Sequence, residues 1–145
     1  MAPGGRVLAI DPGRVRIGLA VSDPTGIVAQ GLPTLLSRGR ANDMDSLVAL
    51  VRDREIAEIV VGCPRNLDGS EAAMTSFAER LAEELRKTTG LCVSLWDERM
   101  TSAQAERTLL SGNVRRVARR RHRDQLAAVL ILEGFLDWSR LQDST

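Results

Sequence analysis

Acidic residues stand at three places in the sequence where the surrounding pattern is apolar. Asp11 ends the apolar run Val7–Ile10, Asp97 and Glu98 follow the run Leu91–Trp96, and Asp124 precedes a helical stripe of apolar residues. A conflict between local pattern and residue type is typical of functional sites. Because converging carboxylates repel one another, a cluster of them favours a bound hard cation, Mg²⁺ or Mn²⁺. Two such ions, ~3.5–4 Å apart, can activate a water molecule and stabilise the leaving oxygen in phosphodiester hydrolysis.

The placement of these acids is predicted from the period of each element. Strand alternation puts Asp11 on the same face as Val7 and Ala9, and it lets only one of Asp97 and Glu98 face a given site. In the last helix the apolar stripe continues the face on which Asp124 lies: Ala127, Ala128, Ile131, Leu132 and Phe135. The plainer alternatives are a turn-forming aspartate at position 11 and a helix-dipole aspartate at position 124.

Basic residues crowd the stretch before Asp124, although the net charge of the chain is only +1. Six arginines surround the single histidine: Arg115, Arg116, Arg119, Arg120, Arg121 and Arg123. Such density favours phosphate binding over a merely solvated face. Arg14 and Arg16, which follow the first acid, are further candidates for phosphate contact, and Arg99 could bind phosphate or pair with Asp97.

Composition limits the class of protein. The chain has 145 residues, of which 43% are hydrophobic and 27% charged, which favours one globular domain spanning 1–145. No apolar run approaches the roughly 18 residues of a membrane span, and no signal peptide is evident, so a cytoplasmic location is expected. Cys63 and Cys92 are expected to be buried reduced thiols, and one histidine with no close cysteine pair argues against zinc.

The order of predicted elements is β-β-β-α-β-α-β-α-α. Tight turns predict that the first three strands, Val7–Ile10, Ile17–Val21 and Ile27–Leu36, form an antiparallel meander. A helix capped by Asn42 or Asp43, the strand Ile56–Val61, the helix Ser70–Thr88 and the strand Leu91–Trp96 follow. A helix from Thr101 or Ser102 to Ser111, a basic loop over 112–120 and a helix Arg121–Leu141 complete the chain. Helix-linked strands pair in parallel, so we predict an α/β fold with a mixed five-stranded sheet and helices on both faces.

Four segments, in the same order, resemble motifs of the YqgF/RuvX family. They are 11–23 (DPGRVRIGLAVSD), 62–71 (GCPRNLDGSE), 97–102 (DERMTS) and 124–132 (DQLAAVLIL). The resemblance implies an RNase H-like fold related to Holliday junction resolvases, and maturation of the 5′ end of pre-16S ribosomal RNA. It also selects Glu98 over Asp97, which makes Asp11, Glu98 and Asp124 the implied catalytic metal ligands.

Several alternatives stay open at this point. The natural substrate could be structured RNA or a four-way DNA junction, and a homodimer is one alternative for the oligomeric state. One rival function is a non-catalytic nucleic-acid-binding ribosome assembly factor. The other is an ATPase of the actin and sugar-kinase type, although a single domain without a second glycine-rich phosphate loop argues against it.

Overall fold

The computed structural model describes residues 5–63, 69–97 and 116–143, without the side chains of 69–72, 116–124 and 143. Its elements are β1 (Arg6–Asp11), β2 (Arg16–Ser22), β3 (Ala29–Leu36), α1 (Arg40–Asp53), β4 (Ile56–Cys63), α2 (Gly69–Thr89), β5 (Cys92–Asp97) and α3 (Arg116–Asp143). The predicted helix from position 101 or 102 to 111 lies outside the described residues.

The five strands form one mixed sheet in the order β3-β2-β1-β4-β5. Neighbours joined by short turns, β1 with β2 and β2 with β3, are antiparallel. Neighbours reached through a helix, β1 with β4 and β4 with β5, are parallel. The predicted meander and mixed sheet are therefore confirmed, and the carboxyl ends of β1, β4 and β5 meet at one edge, here called the carboxyl edge.

Two apolar cores lie on opposite faces of this sheet. Leu8 and Ile10 of β1 belong to the core that holds α1 and α2 through residues such as Leu47 and Leu81. The intervening β1 residues Val7 and Ala9 belong to the second core, whose helical part comes from α3: Ala128, Ile131, Leu132, Phe135 and Leu136. Successive side chains of β1 thus point to opposite faces of the sheet, and helices cover both faces, as predicted.

Two local expectations were wrong. Ile27 and Val28 precede β3 in the β2–β3 turn, where their backbone N–H groups donate to the carboxylate of Asp23 (both 2.9 Å). The cap of α1 is Gly39, so Asn42 and Asp43 lie inside the helix. Asp43 instead reaches back to accept hydrogen bonds from the backbone N–H of Arg38 and the hydroxyl of Ser37.

The last helix begins earlier than its sequence predicts. Residues 116–120, assigned above to a basic loop, are helical, so most of the arginine-rich stretch belongs to α3. One expectation about cysteines also fails, since Cys63 is buried but Cys92 is exposed. Among the described helices, none combines the length and hydropathy that crossing a membrane requires.

Candidate active site

Asp11 is the last residue of β1, and the alternation of this strand determines which way its side chain points. Because Leu8 and Ile10 point into the α1/α2 core, Asp11 points with Val7 and Ala9 toward the α3 face. Its side chain is half-buried. The first predicted acid therefore lies at the carboxyl edge, on the face covered by α3, as its sequence context predicts.

The turn after Asp11 fixes where β1 ends. Pro12 is buried and cannot extend the strand ladder as a donor. A Cβ at Gly13 would lie 2.2 Å from the backbone oxygen of Arg16, so the chain can reverse there only with glycine. The same turn carries Arg14 and Arg16, both exposed, to the carboxyl edge.

Both strands beside Asp11 have glycine at its level. Asp11 pairs directly with Gly18 of β2, and because Ile10 pairs with Val61, Gly62 is the next residue of β4. Ala20 and Val60, two residues away on these strands, lie in the α3 core, so Gly18 and Gly62 share the face of Asp11. Neighbouring strands are about 4.8 Å apart. The Asp11 carboxylate is therefore flanked on both sides by positions without a side chain, which leaves room for a ligand.

The register of β5 separates the two candidate acids at its end. Val93 and Leu95 pack in the α1/α2 core, whereas Trp96 packs in the α3 core. Asp97, the last residue of β5, therefore alternates to the face opposite Asp11. Glu98 and Arg99 lie outside the described residues.

The sequence position of Asp124 begins the buried stripe of α3. The residues four, seven, eight and eleven positions further on are all buried against the sheet: Ala128, Ile131, Leu132 and Phe135. Ala127 is half-buried. The predicted stripe is confirmed for these residues, while the side chain of Asp124 itself lies outside the description.

Gln125, next to Asp124, attaches this part of α3 to β3. Its Nε2 donates a hydrogen bond to the carbonyl oxygen of Leu32 (2.8 Å), across 93 residues of sequence. A Cβ at Gly31 would lie 2.4 Å from Cγ of Gln125 and 2.7 Å from its Cδ, so the contact depends on glycine. Gln125 therefore fixes the height and rotation of the helix at the residue that follows Asp124.

Asp23 shows how a carboxylate serves structure at the other end of the sheet. The Thr25 hydroxyl and the backbone N–H groups of Val28 and Ile27 donate to it, which lowers its pKa from 3.8 to about 2. The hydrogen bond from Gly5 N–H to Pro24 O (3.0 Å) places this turn beside the start of β1, away from Asp11. Asp23 therefore stabilises a turn and lies outside the candidate site.

The described residues contain one complete member of the predicted ligand set. Among them, no three His, Cys, Asp or Glu side chains are grouped as a metal site. The described residues include neither Glu98 nor the side chain of Asp124. Of the predicted phosphate contacts, Arg115 lies outside the description, and five others lie on α3 without described side chains: Arg116, Arg119, Arg120, Arg121 and Arg123.

Sequence reasoning missed the residues that shape the site without ionising. Gly18 and Gly62 stand inside recognised motifs, so their presence was visible, but their positions beside Asp11 depend on strand register. Nothing in the sequence around Gln125 indicates its role, because its partner Leu32 lies on a strand far away in sequence.

Comparisons with known proteins cover almost the whole chain. A family model described as "RuvX: Holliday junction resolvase" matches residues 5–138. A relative from Koribacter versatilis, named "Putative pre-16S rRNA nuclease", is 47% identical over 133 residues, which span 92% of this chain and 87% of the relative. A relative of the same name from Halalkalibacterium halodurans is 42% identical over 140 residues, 94% of this chain and 99% of that one.

Solved structures agree on the fold. Thermus thermophilus RuvC in complex with a Holliday junction substrate superposes with a TM-score of 0.53 at 15% identity, over 88% of this chain and 92% of RuvC. A second Thermus thermophilus RuvC structure gives a TM-score of 0.51, over 94% and 96% of the two chains. The sheet order and its helical layers are thus those of an RNase H-like fold.

Proposed function

The chain belongs to the RuvX family, and from this premise we propose that it is a divalent-metal-dependent endonuclease that processes the 5′ end of pre-16S ribosomal RNA. The observation that carries the proposal is the environment of Asp11. This half-buried carboxylate stands at the carboxyl edge, faces α3 and has glycine on both neighbouring strands. In open α/β sheets, ligands bind at this edge of the strands.

The donor set fits a hard divalent cation. Asp11, Glu98 and Asp124 would supply only carboxylate oxygens, the ligands that Mg²⁺ and Mn²⁺ prefer. The glycine positions beside Asp11 leave the space that an ion and its water molecules need. Bound there, the cation would lower the pKa of a water molecule and neutralise charge on the phosphate.

The parts of the chain around this site hold and orient the substrate. Arg14 and Arg16 lie exposed on the turn that follows Asp11, where their guanidinium groups can pair with phosphate oxygens next to the scissile bond. The buried stripe of α3 and the Gln125 hydrogen bond hold position 124 against the sheet face that Asp11 shares. Position 124 is therefore held fixed relative to Asp11 before substrate arrives, which lowers the cost of reorganisation during reaction.

The alternation of β5 supports the assignment of Glu98 as the third ligand. Asp97 belongs to the face of Val93 and Leu95, away from Asp11, and a residue that continued the same alternation would return to the face of Trp96. Asp97 would then serve a structural purpose.

A four-way DNA junction is the second candidate substrate. It is favoured by the description of the matching family model, which names a Holliday junction resolvase. The names of the curated relatives favour ribosomal RNA precursors. Both substrates require the same phosphodiester hydrolysis at the same acidic site, so the variants below test the chemistry independently of the substrate.

The proposal is tested by cleavage of labelled pre-16S RNA and of a labelled four-way junction, side by side, with Mn²⁺. We expect the parent protein to cut the RNA, and Asp11→Asn and Asp124→Asn to lose cleavage while binding is retained, because each variant loses one anionic ligand with little change in volume. Asp53→Asn, at the far end of α1, is the matched control and should cut like the parent.

Each outcome has a separate meaning. If Asp11→Asn or Asp124→Asn cut at the parent rate, that residue is not a metal ligand. If the junction is cut and the RNA is not, the substrate assignment is wrong while the metal site stands. If the parent cuts neither while binding RNA, the non-catalytic assembly factor becomes the better description.

A further inference from the structure

A cavity of about 430 Å³ lies on the opposite side of the sheet from Asp11, between α1, α2 and the start of β2. Its floor includes Ile17, which belongs to the α1/α2 core. Its walls include Arg14 from the turn that follows Asp11, Arg40 from the first turn of α1, and Phe77 and Arg80 from the middle of α2. Arg14 and the start of α1 lie at the carboxyl edge, so the cavity extends to the edge where Asp11 lies.

The cavity carries an excess of positive charge. Arg40 Nε lies 3.0 Å from Glu84 Oε2, and its guanidinium carbon lies 5.4 Å from the centre of the Phe77 ring. Arg14 and Arg80 are exposed, and no carboxylate among the described side chains pairs with either of them.

Among the described residues of the cavity wall, Asp43 is the acid, and its single negative charge offsets only part of the positive charge of the three arginines. Both carboxylate oxygens of Asp43 already accept hydrogen bonds, from Ser37 Oγ and from the Arg38 backbone N–H (2.9 Å). Asp43 is buried and directed at the start of α1. Arg14 and Arg80, which have no carboxylate partner among the described side chains, therefore determine what the cavity attracts, and planar guanidinium groups match phosphate oxygens.

We propose that this cavity binds one unpaired nucleotide of the substrate strand, with its phosphate on Arg14 and Arg80 and its base against the Phe77 side of the cavity. The inference rests on the proposed nuclease function and specifies its substrate as one with a single-stranded segment beside the scissile bond. The volume lies in the range of small-ligand sites, ~300–1,000 Å³, which suits a nucleotide and is too small for a duplex.

The position of Arg14 argues for a strand rather than a free nucleotide. Arg14 belongs both to the cavity wall and to the turn that begins at Asp11, three residues earlier. A strand held at Asp11 and passing over this turn therefore reaches the cavity by continuing around the carboxyl edge. The neighbouring Arg40 adds positive charge along the same path, although its pairing with Glu84 weakens it.

The test measures binding by fluorescence anisotropy in EDTA, where cleavage cannot occur. The probes are a blunt duplex, the same duplex with a single-stranded tail, and the same duplex with an abasic tail. Arg80→Ala should bind the tailed duplex roughly tenfold more weakly, the size expected for one charge-assisted contact, and the blunt duplex as the parent does. The slope of log K against log salt for the tailed probe should fall by roughly 0.7.

Two further variants make the interpretation specific. Arg52→Ala removes the same charge from an exposed position in the last turn of α1 and should match the parent with every probe. Phe77→Leu keeps an apolar side chain but removes the ring, so it should weaken binding of the tail with bases and leave the abasic tail unchanged. Circular dichroism melting of each variant checks that the fold is retained.

The failures are distinguishable. If Arg80→Ala binds the tailed probe like Arg52→Ala does, or loses affinity equally for blunt and tailed probes, the cavity does not hold an unpaired nucleotide. If free AMP binds the parent as tightly as the tailed probe, the cavity is a nucleotide site and the strand assignment is wrong. If these binding results hold but the parent cuts no nucleic acid when Mn²⁺ is supplied, the nuclease proposal fails alone.

Discussion

Replacing Gly31 by alanine tests whether Gln125 holds α3 in place. The new Cβ would lie 2.4 Å from Gln125 Cγ, closer than carbon atoms approach one another, so the glutamine must rotate away. Rotation breaks the 2.8 Å hydrogen bond to the Leu32 carbonyl, a loss of about 0.5–1.5 kcal/mol. Overpacking by the new methyl group costs a further ~1–3 kcal/mol, while removing glycine from a strand returns about 0.5–1 kcal/mol.

These terms predict that Gly31→Ala lowers the free energy of unfolding by roughly 1–2 kcal/mol, or the melting temperature by about 2–6 °C. Gln125→Ala should cost about 1 kcal/mol, because only the hydrogen bond and some packing are lost. With the side chain of Gln125 removed, the Cβ at position 31 has no clash. The double variant should therefore be no less stable than Gln125→Ala alone.

Urea denaturation followed by tryptophan fluorescence measures this cycle, since Trp96 packs in the α3 core and contacts Phe135 edge to face. Non-additivity of about 1 kcal/mol or more is expected, in the direction of rescue. Strictly additive effects would refute the reasoning, because they would mean that positions 31 and 125 do not compete for the same space. The rate of cleavage should fall below that of the parent in both Gly31→Ala and Gln125→Ala, since both release the helix next to Asp124.

Three further predictions follow from the site and its surroundings. Glu98→Gln should reduce turnover far more than Asp97→Asn, because β5 places Asp97 on the face opposite Asp11; equal loss in both would overturn the assignment. The Asp23 carboxyl should titrate near 2 by NMR and return toward 3.8 in Thr25→Ala. Since the pKa of Asp23 is lower in the folded state, its contribution to stability is present above about pH 4 and is lost as pH falls toward 2. If the midpoint of the Asp23 titration were the same in Thr25→Ala as in the parent, the role of the Thr25 hydroxyl would be contradicted. Changing Arg119, Arg120 and Arg121 together to alanine should weaken nucleic-acid binding regardless of base sequence and reduce the salt slope by roughly 0.7–0.9 per lost phosphate contact; an unchanged slope would show that these arginines only solubilise the helix.

Periodicity within single elements determined much of this protein from its sequence. The alternation Val7, Ala9, Asp11 and the helical spacing that begins at Asp124 each specify one face of one element, and the described parts of both elements show that face. The turn at Asp11 was equally local, because Pro12 restricts the backbone and Gly13 permits the close approach to the Arg16 carbonyl that the turn requires. The mixed sheet followed from the lengths of the connections, since short turns allow only antiparallel pairing.

Local signals also failed where two of them competed. Asn42 and Asp43 are favourable caps, yet α1 begins after Gly39, and Asp43 accepts from the Arg38 N–H from inside the helix. The stretch 112–120 was predicted to be a basic loop, yet arginine has good helix propensity and the helix already begins at Arg116. Helix boundaries are set by which backbone groups find partners, and that depends on neighbouring chain segments.

Only the tertiary structure decided which residues stand beside one another across strands. Gly18 and Gly62 flank Asp11 because of strand register, which is fixed by hydrogen bonds between segments distant in sequence. The same register puts Asp97 on the face opposite Asp11. The pairing of Gln125 with Leu32 and the gathering of Arg14, Arg40 and Arg80 around one cavity have no period or spacing in the sequence. A one-residue shift in register would turn each of these strand residues to the other face while leaving every local pattern intact.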